Sequence, residues 1–158
     1  MRQRTLGLAP LVLCAAIVGC GGGGSDGGRH ITWKDDGTSE KAIVTLAQRS
    51  TQGTSDYLNL LGTNSSVGIT IVVGATGRPL AAETFTCNQT TSDQTVSLTY
   101  SDADGGTLAM TQSCTVGVTQ PGAPNGASAT GTFAAVFTLE SGGTKAITDG
   151  SFNVPIAM

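Results

Sequence analysis

The residues from Arg29 onward predict an all-β fold, namely an antiparallel β-sandwich of about eight or nine strands. They are mostly Thr, Ser, Gly, Ala and Val, with few strong helix formers in sequence. Short runs alternate between apolar and polar residues, and turn-forming residues separate the runs. A small β-barrel would close its edges with the same pattern, so that alternative stays open.

The first run, residues 39–49, fits two structures. Ile43, Leu46 and Ala47 would make an apolar stripe on a helix, whereas Ala42, Val44 and Leu46 would share the core-facing side of a strand. We favour the strand, because the rest of the chain has the period of a sheet.

The later runs have the period-two alternation of half-buried strands. Since successive side chains of a strand point to opposite faces, residues two apart share a face. The residues expected to face the core are Ile69, Ile71 and Val73; Phe85 and Cys87; Val96, Leu98 and Tyr100; Cys114, Val116 and Val118; Phe133, Ala135, Phe137 and Leu139; and Phe152, Val154 and Ile156.

Turn residues lie between these runs, at 35–37, 63–66, 74–77, 102–106, 121–126 and 141–143. The segment 119–129 is the longest that we expect to be irregular. Exposed loops carried by a rigid scaffold often bind partners, so Pro121, Pro124 and Asn125 are our candidate binding residues.

The start of the chain predicts export. Basic residues at Arg2 and Arg4 precede an apolar run that is too short to span a bilayer permanently. The run ends in Ile17-Val18-Gly19-Cys20, which resembles the lipobox of bacterial lipoproteins. That resemblance implies that residues 1–19 are a signal peptide and that the Cys20 thiol carries a diacylglycerol.

Residues 20–28 then form the lipidated cysteine and a glycine-rich tether, since glycine in this density cannot hold a fold. Two or three acyl chains would anchor the protein stably to a membrane. Gly21 is not the aspartate that retains enterobacterial lipoproteins in the inner membrane, which favours the outer membrane. The expected location is therefore the bacterial cell envelope.

The remaining residues, 29–158, are enough for one domain with a single core. Cleavage after Gly19 removes Arg2 and Arg4, which leaves an acidic protein. An acidic balance argues against a nucleic-acid partner. Cys87 and Cys114 are an even pair in an exported domain, so we expect a disulfide that stabilises the fold by roughly 3–4 kcal/mol.

Several segments resemble a group of uncharacterised bacterial lipoproteins. These are the Gly131-Thr132-Phe133 strand, the Ser141-Gly142-Gly143 turn, the closing strand Ile147-Thr148-Asp149-Gly150-Ser151-Phe152, and Glu83-Thr84-Phe85-Thr86-Cys87. The resemblance covers about a third of the mature domain. It implies a β-rich fold and no catalytic residues.

The sequence predicts no catalytic set, no metal site and no cofactor. His30 is the only imidazole, which leaves a nucleophilic triad without a base inside the domain. Glu40, Glu83 and Glu140 are the candidate carboxylates of a glycosidase, but sequence spacing gives no distance between them. The aspartates of segment 102–106 lack the distal glutamate of an EF-hand loop.

Two functions remain. The first is a non-catalytic binding module that meets an envelope protein or a glycan. The second is a small-ligand carrier or inhibitor with a β-barrel lumen. The carrier requires a cavity lined by Phe85, Tyr100, Phe133 and Phe137, whereas a packed interior would fill that space with the same rings.

Overall fold

The computed structural model describes residues 28–88, 93–102, 110–123, 126–139 and 142–157, and within them every regular element is a β-strand. The strands are β1 His30–Asp35, β2 Thr38–Lys41, β3 Val44–Gln52, β4 Ser55–Thr63, β5 Val67–Ala75, β6 Glu83–Thr86, β7 Gln94–Asp102, β8 Met110–Ala123, β9 Ala127–Thr138 and β10 Thr144–Pro155. The predicted all-β class is confirmed. In the described residues, no helix is long and apolar enough to cross a membrane.

The strands form a sandwich of two antiparallel sheets. One has six strands in the order β2-β1-β10-β9-β8-β6, and the other has four in the order β3-β4-β5-β7. In the described part of the chain, the sheets are bridged at one point, between Ala47 and Ile156. Closing a barrel needs continuous pairing around the sheet, so the barrel alternative is wrong.

One strand of the larger sheet reaches from one edge of the smaller sheet to the other. β10 has Lys145 beside Tyr100 of β7 near its start, and just past its end Ile156 is bridged to Ala47 of β3. β7 and β3 are opposite edges of the smaller sheet, so β10 spans its full width.

The core lies between the sheets and contains the residues predicted to face it on the later strands, together with residues of β1 and β4 that were not predicted, among them Ile31, Leu58 and Leu60. Phe85, Phe137 and Phe152 are among its largest fully buried side chains, joined by Trp33. Cys87, Val96 and Leu139 pack at its margin and are partly buried. The period-two alternation thus identified the inward face of each later strand.

The predicted strand at 39–49 is present but divided, which raises the number of strands to ten. The Ala42 amide donates to Ile31 in the larger sheet, and the Ile43 amide donates to Thr63 in the smaller one. This change of sheet inverts the alternation. Ala42 is buried as expected, but Val44 and Leu46 face solvent, so their predicted place in the core is wrong.

The closing motif has a structural explanation in two glycine–aromatic pairs. Gly131 of β9 pairs with Phe152 of β10, and Gly150 pairs with Phe133. A Cβ on Gly131 would lie 2.5 Å from the Phe152 ring, and one on Gly150 would lie 2.6 Å from the Phe133 ring. Asp149 has φ 50° where the register shifts, so the motif combines a bulge with two positions that admit only glycine.

Gly131→Ala is expected to lower the free energy of unfolding by about 1–3 kcal/mol, because it overpacks the core. The added Cβ would lie 2.1 Å from the Gly117 carbonyl oxygen, which cannot move without its strand. Urea denaturation measures the loss. Gly117→Ala is the matched control, since its Cβ meets only the Thr132 hydroxyl at 3.2 Å. Equal stability of the two variants would contradict this packing.

Candidate functional site

The predicted binding loop is mostly strand. Residues 119–123 belong to β8, and Ala123 pairs with Ala127 across a short turn. The prediction of a long irregular segment is therefore wrong, although Pro121 lies beside this turn. Pro124 and Asn125 lie outside the described residues.

The pairing of β8 explains why turn-forming residues occur in a strand here. β6 pairs with β8 only over residues 115–118, so beyond them the pairing described for β8 is with β9 alone. Proline is tolerated where a strand amide has no ladder partner. Gly122 has φ 71°, and its carbonyl accepts a hydrogen bond from Arg49 Nη1.

The predicted disulfide between Cys87 and Cys114 is confirmed. The two Cα atoms are 4.9 Å apart, and the Cys87 amide donates to the Cys114 carbonyl at 2.9 Å. The bond fixes the end of the short edge strand β6 to the middle of β8. It therefore holds in place the residues on either side of it, including Thr86 and Thr115.

The described carboxylates that the sequence suggested for glycosidase chemistry are held by other side chains. Glu83 accepts two hydrogen bonds from Arg78, both at 2.7 Å, and one from Gln94. The Arg78 bonds lower the pKa of Glu83, so it is ionised at neutral pH and cannot serve as a general acid. Glu40 accepts a hydrogen bond from Asn64, and Glu140 lies outside the described residues.

The described residues contain no group of three or more His, Cys, Asp or Glu side chains placed to hold a metal ion. His30 Nδ1 lies 2.8 Å from the Gly28 carbonyl oxygen, at the entry to β1. Of the segment 102–106, residues 103–106 and the side chain of Asp102 lie outside the description.

The aromatic rings proposed to line a ligand lumen belong to the packed core. Phe85 and Phe137 are fully buried, and Phe133 and Tyr100 are nearly so. The rings of Tyr100 and Phe137 contact each other with centroids 5.7 Å apart. These four rings therefore fill the space that the carrier hypothesis requires for a ligand.

Tyr100 also belongs to a polar cluster with Asp35 and Lys145 that joins the sheets. Its hydroxyl donates to Asp35 Oδ2 at 2.6 Å, and Lys145 Nζ donates to Asp35 Oδ1 at 2.8 Å. Burial and the neighbouring Asp35 raise the pKa of Tyr100 to about 12. The three residues come from β7, β1 and β10, so no local motif could have predicted the cluster.

Absorbance titration of tyrosinate should show that Tyr100 ionises at about pH 12, above the ordinary tyrosine pKa of 10.0. Because the folded state retains the phenolic proton longer than the unfolded state, stability should fall as the pH rises from 10 towards 12. Subtracting the titration of Tyr100→Phe isolates this hydroxyl from Tyr57. A difference curve centred at 10 would contradict the buried hydrogen bond to Asp35.

The outer surface of the larger sheet carries a row of hydroxyl side chains. Cross-strand pairing aligns Thr84, Gly117, Thr132, Ser151, Thr32 and Lys41, from β6 at one edge to β2 at the other. Thr86 and Thr115 lie in the next row. We call this surface, defined by Thr32, Thr84, Thr115, Thr132 and Ser151, the hydroxyl face.

The hydroxyl face is neutral and its side chains are restrained. The Thr32 and Ser151 hydroxyls hydrogen-bond each other at 2.9 Å. Threonine has little rotamer freedom to lose, because its β-carbon is branched. The adjoining charged pair, Lys34 and Asp149, is neutralised by an ion pair at 2.8 Å.

Two shallow depressions lie on the hydroxyl face. One, of about 390 Å³, is bordered by Thr115, Thr132 and Ser151. The other, of about 240 Å³, is bordered by Thr86, Ser113 and Thr115 beside the disulfide. Composition made the abundance of threonine visible in the sequence, but only the strand register shows that these residues share a face.

No family model, curated protein or solved structure matches the chain. The resemblance to bacterial lipoproteins therefore stays a prediction from the motifs.

Proposed function

We propose that the chain is a lipid-anchored, non-catalytic recognition domain of the bacterial envelope, which binds an envelope protein or glycan through the hydroxyl face. The observation that carries this proposal is the set of neutral hydroxyls that define the hydroxyl face on the six-stranded sheet. Each hydroxyl can donate and accept a hydrogen bond, as recognition of a neutral polar partner requires.

The rigidity of this face favours binding. Ordering long side chains at an interface opposes association by about 0.5–1.5 kcal/mol for each one. Thr115 and Thr132 project from paired strands and have little freedom left to lose. A partner that fits the two depressions would therefore meet donors and acceptors that are already positioned.

The envelope address comes from the start of the chain. Cys20 stands at a lipobox-like sequence, and the glycine-rich sequence 21–28 leads from it to β1. A glycine-rich run of this length would have a root-mean-square reach of roughly 15 Å. The domain would thus be held close to the membrane surface, where envelope proteins and glycans are its neighbours.

The hydrogen bonds of the described carboxylates support the non-catalytic part of the proposal. Asp35, Asp56 and Glu83 each accept hydrogen bonds from a cationic side chain. A carboxyl that acts as a general acid needs a raised pKa, whereas the arginines lower the pKa of Asp56 and Glu83. These three carboxylates instead form ion pairs that join one part of the sandwich to another.

Affinity capture from envelope extracts tests the proposal, with the lipidated protein in detergent as bait. Wild type and Thr132→Glu are compared, because a carboxylate at this exposed position would lose its hydration against a neutral partner and repel an acidic one, without entering the core. We expect a defined protein or glycan to be retained by wild type and lost with Thr132→Glu.

The matched control is Ser97→Glu, an exposed position on the outer surface of the smaller sheet. It adds the same charge away from the hydroxyl face and should retain the partner. Loss of the partner with both variants, or with neither, would contradict binding at the hydroxyl face. If wild type retains nothing, the recognition role itself is contradicted.

A further inference from the structure

Three aliphatic side chains are exposed at one corner of the smaller sheet. Ile43, Val44 and Leu46 have 78%, 55% and 44% of their surfaces in contact with solvent. Leu46 pairs with Leu61 of β4, which is half-buried on the same surface. We call Ile43, Val44 and Leu46 the apolar corner.

The fold does not require these residues to be apolar. Outward positions on β7, the opposite edge of the same sheet, are Thr95, Ser97 and Thr99, and all three are exposed. Small side chains with a hydroxyl therefore suit the outward strand positions of this sheet. The apolar corner departs from that use, and contiguous exposed apolar groups mark contact surfaces.

The corner lies where the tether joins the domain. Arg29 Nε donates to the Thr45 hydroxyl, between Val44 and Leu46 in β3. Arg29, Ile43 and Val44 border the same shallow depression. Arg29 follows the glycine-rich sequence that begins at Cys20, so the corner lies where the predicted anchor joins the domain.

A cationic side chain flanks the corner. Arg29 is exposed and directly precedes β1. The acidic neighbour Glu40 is half-buried and accepts a hydrogen bond from Asn64 at 2.7 Å. Exposed aliphatic groups bordered by an arginine suit the interface of a bilayer, where phosphates lie above the acyl chains.

We propose that the apolar corner rests in the interface of the same bilayer that holds the Cys20 lipid. Ile43, Val44 and Leu46 insert among the acyl chains, while Arg29 meets a lipid phosphate. The contact gives the domain a fixed orientation, with the β3 edge towards the membrane and the β7 edge away from it. This inference rests on the proposed function, since it requires the anchor.

Spin labelling of the full lipidated protein tests the contact. Acylated Cys20 and the bonded Cys87 and Cys114 leave an introduced cysteine as the reactive thiol. Gln48→Cys places a nitroxide on the outer surface of β3 beside Leu46 without removing an apolar side chain. The protein is reconstituted into vesicles of phosphatidylethanolamine and phosphatidylglycerol, and collisions with oxygen and with a soluble nickel complex are measured.

We expect the label at Gln48 to collide several-fold less with the nickel complex than a label at Ser97→Cys on β7. Combining Gln48→Cys with Ile43→Thr, Val44→Thr and Leu46→Thr should abolish that difference. Thermal unfolding checks that the threonine variant keeps the fold.

Equal nickel access at Gln48 and Ser97 in vesicle-bound, lipidated protein would overturn the contact and leave the anchor intact. Dipolar broadening between labels at Gln48 would overturn it in favour of a second copy of the chain at this corner. Failure of the proposed function is seen separately, as protein that lacks the lipid mass and does not enter the vesicles.

Discussion

Asp56→Ala is expected to lower the free energy of unfolding by about 3–5 kcal/mol, because it leaves the largely buried guanidinium of Arg49 without its partner. Asp56 is 4% exposed and accepts hydrogen bonds from Arg49 Nε at 3.0 Å and from the Leu80 amide at 3.1 Å. Arg49 also donates to the Gly122 carbonyl. Arg49 is thus held by Asp56 within the smaller sheet and joins that sheet to β8 of the larger one through Gly122.

This stabilisation should depend on pH in a defined direction. The Arg49 hydrogen bonds lower the pKa of Asp56 below its ordinary value of 3.8. The difference between wild type and Asp56→Ala should therefore be complete above that value, and it should shrink as the pH falls through the lower pKa of the folded carboxyl. Chemical denaturation of both proteins across the acid range measures it.

Lys34→Gln is the matched control, because it breaks an ion pair on the surface. The Lys34 and Asp149 side chains are 45% and 69% exposed, so solvent screens their attraction. We expect little change in stability. A loss as large as that of Asp56→Ala would show that burial does not distinguish the two pairs.

Replacing both Cys87 and Cys114 with alanine is expected to reduce the free energy of unfolding by about 3–4 kcal/mol. The two cysteines are 27 residues apart in sequence, and their bond restricts the unfolded chain over that length. Alanine at both positions avoids placing a hydroxyl at the buried site of Cys114. Urea denaturation of wild type, the double variant and reduced wild type measures the effect.

Reduced wild type should unfold at nearly the same urea concentration as the double variant, since both lack the crosslink. Identical stability of oxidised wild type and the double variant would contradict a stabilising role. Reactive thiols in oxidised protein would contradict the bond itself.

Much of the fold was predictable because the core faces of single strands follow a local rule. Ile69, Ile71 and Val73 are buried as the alternation predicts, and so are Phe152 and Val154. The rule fails at Val44 and Leu46, because the chain changes sheets between Lys41 and Val44. Which face of a strand is buried depends there on the second sheet, about which the local sequence carries no information.

The candidate site was less predictable than the fold. Pro121 and Gly122 are turn-forming residues, yet they continue a strand whose pairing there is with β9. The hydroxyl face depends on the register of five strands, so Thr84 and Ser151 align only once the sheet is assembled. The cysteine pair was predictable, since exported domains with two cysteines usually bond them.

The most direct test of the lipid-anchored function is the intact mass of the mature protein, extracted from the membranes of a bacterial host that processes lipoproteins. We expect a chain that begins at Cys20 and carries a diacylglycerol, with no such species from Cys20→Ser. A mature chain without lipid mass, or one that begins at another residue, would contradict the anchor.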